Sequence, residues 1–218
     1  SAEASDWDAD FMLSIHSNAG TPSNYILQIH SGITPNDPYG LKGYADVVPQ
    51  AVCDEARAIT TRMGDNQYMN EISCWSTVPR IEGDKTFART AMGWSNGYGV
   101  LRWLTVPGTI SEGMMHDYLP ETYRLMNIDY KRQESFYFAK TFIEHFCDGQ
   151  LPYGAIGGKI HDDYQKQVFP DYHPRSGTRD ELRPINRGVV ELWQNDKKIS
   201  SYTTDTLYNG CYFFWNLQ

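Results

Sequence analysis

The chain has 218 residues, 40% of them hydrophobic and 14% aromatic, which is the composition of a globular protein with one sizeable core and room for a small second unit. A net charge of −8 and the lack of any basic run argue against a nucleic-acid-binding surface, and no stretch of apolar residues is long enough to span a membrane. Cys53, Cys74, Cys147 and Cys211 lie far apart without a C-x-x-C pair, which speaks against a cysteine metal site or a thioredoxin-like motif; one disulfide is compatible with the sequence, but no pairing stands out. The first residues carry neither the charged region nor the apolar run of a signal peptide.

In chain order, residues 11–20 (FMLSIHSNAG) form an apolar run that ends in a histidine and small polar residues, and read as a buried strand delivering His16 to its C-terminal end. Residues 24–30 are β-rich, with His30 expected to face solvent, and residues 32–43 are a loop by composition. Val48, Val52, Ala56, Ile59 and Met63 share a face at helical spacing, so a helix is expected over residues 46–63, capped by Asp46, with Pro49 in its first turn and Gly64 stopping it. Residues 66–99 read as long loops around a short strand at 72–77. Trp75, Trp94, Tyr98 and Trp103 are more simply core aromatics than a sugar-stacking set.

A strand is expected at residues 99–104, leading through Pro107 to a second short strand, residues 108–113, that delivers Glu112. Phe136, Ala139, Ile143 and Phe146 mark a final helix ended by Gly149. Residues 150–183, rich in Gly, Pro, Asp and Tyr without periodicity, read as a linker or packed connecting segment. Residues 188–193, 198–202 and 211–215 are three short strands, with turn signals at Asn195-Asp196 and Asn209-Gly210.

One histidine and one glutamate, each at a strand end, suggest a metal ligand and a general base. From residue type alone a histidine such as His16 is more often a core or turn residue, and Glu112 could merely cap the turn that follows it. Ser14-Ile15-His16-Ser17-Asn18-Ala19, however, resembles the SIHxNA segment of the zinc-dependent N-acetylmuramoyl-L-alanine amidases, and residues 107–113 resemble that family's late P-x-x-x-x-E-G segment. The resemblance covers roughly residues 8–147, and residues 111–118 with Pro120-Glu121-Thr122 are also similar to multidomain versions of the family, some of which carry a xanthan lyase label.

The resemblance implies an α/β fold: a partial three-layer α/β/α amidase-like domain over residues 1–149, a connecting segment over 150–183, and the start of a small β-sandwich of the carboxypeptidase-regulatory or prealbumin-like kind over 184–218. It implies Zn2+ as cofactor, with His16 as a metal ligand and Glu112 as the catalytic carboxylate. The family's two further ligands, a histidine and a glutamate, precede the SIHxNA strand; the fifteen residues before His16 hold no histidine, so those ligands and the N-terminal part of the domain are expected upstream of this chain. Asn18 is placed to orient the His16 loop or touch substrate, and His116, four residues after Glu112, would share its face on a helical turn and bind substrate or oxyanion.

The implied activity is hydrolysis of the amide between N-acetylmuramic acid and L-alanine in peptidoglycan, in the periplasm or cell envelope. A polysaccharide lyase and a non-catalytic cell-wall or glycan-binding module are the alternatives, and nothing in the sequence bears on oligomeric state.

Overall fold

A computed structural model describes residues 2–20, 25–32, 48–68, 79–94, 96–102, 104–174 and 179–218. The fold is α/β, and the chain divides into two compact units, one of Ser1–Ser17, Ile26–Asp65 and Pro79–Gly113 and the other of Asn18–Tyr25, Asn66–Val78 and Met114–Gln218.

The first unit is built on a four-stranded sheet in the order β1 (Met12–Asn18), β4 (Gly108–Met115), β2 (Leu27–His30) and β3 (Arg80–Gly83). A short helix, α1 (Ala2–Asp6), precedes β1. Strand β2 runs antiparallel to β4 and parallel to β3. Pairing of Leu27 with Glu112, Gln28 with Ser111, Ile29 with Ile110 and His30 with Thr109 sorts the side chains by face, because neighbours along a strand point to opposite sides.

One face carries Gln28, His30, Thr109, Ser111 and, on β3, Ile81. It is covered by α2 (Gln50–Tyr68), whose Ala56, Ile59, Thr60 and Met63 are fully buried on one helical stripe. The polar groups beneath the helix are satisfied locally: Gln28 Nε2 donates to Ser111 Oγ at 2.8 Å, and Thr109 Oγ1 donates to the Ile29 carbonyl at 2.9 Å. On the opposite face, with Leu27, Ile29, Ile110 and Glu112, lie α3 (Asp84–Met92) and the buried Leu101, Leu104 and Val106. The Arg80 guanidinium stacks over the Phe87 ring of α3 at 5.1 Å, and Leu104 fills the space a side chain at Gly108 would need. The result is the three-layer arrangement of helix, sheet and helix.

Several sequence expectations are corrected. Helix α2 runs through Gly64 to Tyr68, because a β-carbon at Gly64 would come within 2.9 Å of Ile81 Cδ1; this glycine permits close packing on the sheet and does not end the helix. His30 is buried beneath α2, not solvent-facing. Residues 99–102 and 104 are turn and coil, with Leu101 and Leu104 buried as isolated anchors, so the apolar spacing there belongs to a packed loop and not to a strand. Strand β3 and helix α3 lie within the span read as loops, and the αL glycine at position 93 that closes α3 was their available signal. Asp46, Trp75 and Trp103, with the strand expected at 72–77, lie outside the described residues.

Asp84 is wholly buried at the start of α3, where Oδ1 accepts the Tyr98 N–H at 2.6 Å and burial pushes the carboxyl up to about 7. Because the folded state holds this proton more tightly than the unfolded chain, the contribution of Asp84 to stability is full below its unfolded value of 3.8 and is lost as pH rises through about 7. Asp84→Asn keeps an acceptor for Tyr98 and removes the titration. Urea unfolding at a series of pH values across that window should show a shallower decline for the variant than for the wild type, and equal declines would refute the assignment.

The second unit contains α4 (Leu119–Leu125), α5 (Ile128–Phe146) and three two-stranded antiparallel ribbons: β5 (Gly154–Lys159) with β10 (Cys211–Leu217), β6 (His161–Lys166) with β7 (Leu182–Pro184), and β8 (Val189–Gln194) with β9 (Lys197–Thr203). Residues 150–183 thus contribute strands of their own, and the expected strand near 211–215 pairs with β5 instead of with the β8–β9 hairpin. The final helix begins at Ile128, one turn after α4, because Asn127 Oδ1 caps it by accepting the Tyr130 N–H at 2.8 Å. Asn127 Nδ2 also reaches Asp205 Oδ2 at 2.8 Å and Asn209 Oδ1 at 3.2 Å, which ties the helix start to the turn ahead of β10. Cys53, Cys147 and Cys211 are free thiols.

A buried ion cluster holds this unit together. Asp180 pairs with Arg124 of α4 and with Lys159 Nζ of β5 at 3.0 Å, accepts the Tyr118 hydroxyl at 2.9 Å, and its own carbonyl accepts the Tyr172 hydroxyl at 2.7 Å. Removing Asp180 takes away the carboxylate shared by Arg124 and Lys159 and leaves Glu121, 3.9 Å from Arg124, to offset the two cations. Asp180→Ala should therefore lower stability by about 3–5 kcal/mol in urea unfolding, and a loss below ~1 kcal/mol would show that the cluster contributes little.

Candidate functional site

Strand β1 runs parallel to β4, because the Met12 N–H donates to the Pro107 carbonyl at 2.9 Å at one end and the His116 N–H donates to the Asn18 carbonyl at 2.8 Å at the other. The first bond sets Met12 beside Gly108, and a β-carbon at Gly108 would indeed lie 3.4 Å from Met12 Cβ. Counting four residues along both strands brings His16 level with Glu112, on the face shared with Leu27 and Ile110. By the far end β4 has gained one residue on β1, so this alignment holds to within one residue.

His16 is exposed, and its Nε2 lies 2.9 Å from the Ser14 hydroxyl, two residues back on the same side of the strand. Ser14 was not singled out by sequence, although an i, i+2 pair on a strand was the signal available. Glu112 is half-buried, and that burial pushes its carboxyl up to about 7. A glutamate poised near neutrality beside water is suited to accept and return a proton.

His30 does not join this pair. It lies on the other face of the sheet, its Nδ1 is 3.0 Å from the Ser31 carbonyl, and desolvation lowers its pKa, so it is a neutral core imidazole.

Asn18 and His116 belong to the second unit. Asn18 Oδ1 accepts the Ala19 N–H at 2.7 Å, and Gly20 N–H donates to Asp117 Oδ2 at 2.8 Å, so these residues brace the chain where it leaves β1. Residues 108–115 are strand, not a helical turn. An i, i+4 pair on extended chain is separated by ~13 Å, so His116 does not sit beside Glu112 in the way a helical turn would place it. Glu121, an unremarked part of the Pro120-Glu121-Thr122 run, is buried and accepts the Met115 N–H at 2.6 Å, fixing the end of β4.

A catalytic zinc takes three protein ligands and keeps an open position. Among the described residues no group of three His, Cys, Asp or Glu side chains converges, and the site offers one imidazole and one carboxylate. These residues by themselves do not make a zinc site.

No family model matches the chain, and no curated protein matches it. Among solved structures it is similar to N-acetylmuramoyl-L-alanine amidase AmiC2 of Nostoc punctiforme, at 15% identity and a TM-score of 0.37, over 67% of this chain and 63% of that one. The chain thus spans less than two thirds of that protein's length. No described helix is long and apolar enough to cross a membrane.

The carboxyl of Glu112 is directly measurable. Carboxyl-carbon NMR should show a glutamate titrating near 7 whose signal is lost in Glu112→Gln, distinct from Glu121 and Glu134, which burial also raises to about 7. A Glu112 that titrates in the ordinary range near ~4.3 would remove its special role.

Proposed function

We propose that the protein hydrolyses the amide between N-acetylmuramic acid and L-alanine in peptidoglycan, with Glu112 as general base and general acid. The observation that carries this reading is the half-buried Glu112 carboxyl, raised toward neutrality and within one residue of level with His16 on the adjacent strand. Glu112 takes a proton from the water that attacks the lactyl amide carbonyl and returns it to the departing alanine nitrogen. His16, exposed at the same level, faces the reacting group from β1, and Ser14 Oγ holds its ring.

Zinc remains part of the proposal, with His16 as one ligand. When bound it would polarise the amide carbonyl and the attacking water, and no group of three or more His, Cys, Asp or Glu donors converges among the described residues. Asn18 is proposed to act by bracing the strand end and His116 by contacting substrate from the exposed surface. A cell-envelope location follows from this substrate.

Digestion of purified peptidoglycan followed by mass spectrometry tests the reading through release of stem peptides with a free alanine amine. Glu112→Gln should lower kcat by about 10²–10⁴-fold with the fold intact, and wild-type activity should fall as pH drops below about 7, because the base must be unprotonated. Elemental analysis with His16→Ala tests zinc separately. Unsaturated uronate products would replace this reading with a lyase, and retained binding without any turnover would replace it with a wall-binding module.

A further inference from the structure

In the second unit, a cleft of about 510 Å³ lies where the β8–β9 hairpin meets the β5–β10 ribbon. That volume is within the ~300–1,000 Å³ of small-molecule sites. Its lining combines the Trp193 indole, Ile156 and Ile199 with the carboxamides of Gln194, Asn216 and Gln218, and no charged side chain lines it.

Both walls depart from regular strand at this place. Leu192 pairs with Ser200 but Trp193 pairs with Lys198, so Ile199 is an extra residue in β9. Phe214 pairs with Ile156 but Leu217 pairs with Gly154, so β10 also carries one extra residue, and Asn216 adopts φ +59° there. Bulges of this kind re-aim side chains, and a non-glycine residue in the left-handed region is uncommon.

Trp193 is 54% exposed, yet its ring is held in place: Nε1 donates to Glu191 Oε2 at 3.0 Å, and Glu191 is itself paired with Lys198. With its polar atom already satisfied, the indole offers the cleft an apolar surface. The carboxamides beside it both donate and accept, the complement of hydroxyl and acetamido groups. An uncharged ligand with one apolar ring face and a polar rim matches this lining.

We propose that the cleft is a saccharide-binding site that seats a pyranose ring on Trp193 and engages its polar substituents through Gln194 and Asn216. The saccharide class rests on the cleft itself, whereas the choice of an N-acetylhexosamine chain rests on the function proposed above.

Isothermal titration calorimetry of the full chain with fully N-acetylated chitotetraose tests it. Saturable binding is expected, weakened about tenfold or more in Trp193→Ala and less in Gln194→Ala, with thermal unfolding confirming that both variants fold. Glu112→Gln should bind as the wild type does, so loss of hydrolysis and loss of this site are separately visible. Absence of saturable binding, binding that survives Trp193→Ala, or a concentration-dependent dimer abolished by Trp193→Ala would each overturn the proposal.

Discussion

The pairing of β1 with β4 is the constraint on which the candidate site depends. These strands are separated by nearly the whole of the first unit in sequence, and their parallel pairing brings His16 to within one residue of the level of Glu112. Closing so long a connection is entropically costly, though the cost grows only slowly with length, and here it is offset by a strand that is buried along almost all of its course. Strand β4 is central because every other element of the sheet is referred to it: β1 on one side, β2 and through it β3 on the other.

Burial then separates two kinds of carboxylate. In the second unit Asp180 is buried between Arg124 and Lys159, and these cations hold its carboxyl below the usual range in spite of desolvation. Glu112 is raised by burial, which is the influence that dominates it. Asp84 is likewise raised to about 7, because burial outweighs the pull of the Tyr98 amide, Lys85 and Arg102. The same residue chemistry therefore gives a structural anion in one unit and a carboxyl raised toward neutrality in the other, according to what lies beside it.

The sheet of the first unit also shows why polar residues at strand positions mislead. His30, Gln28, Thr109 and Ser111 alternate with apolar neighbours, a pattern on which His30 is expected to face solvent. They are instead an internal polar layer beneath α2, made tolerable by hydrogen bonds to one another and to backbone. Gly64 misleads in a related way, since a glycine inside a helix is indistinguishable in sequence from one that ends it until the sheet it packs on is known.

Local chemistry made much of the chain legible without a structure: the existence of the strands carrying His16 and Glu112, the long apolar stripe of α2, the helix α5 and the Asn195-Asp196 hairpin turn announce themselves through periodicity or turn residues that act over a few positions. But β1 is half-exposed with His16 inside it, and α5 buries Tyr130, Gln133, Phe138 and Thr141 in place of the Phe136, Ala139, Ile143 and Phe146 stripe. The buried ion cluster around Asp180, the reassignment of residues 211–217 to β5, the burial of His30 and the alignment of His16 with Glu112 were decided only in three dimensions. Each depends on which distant segments exclude water from one another, and desolvation between such segments leaves no periodic mark in a single sequence.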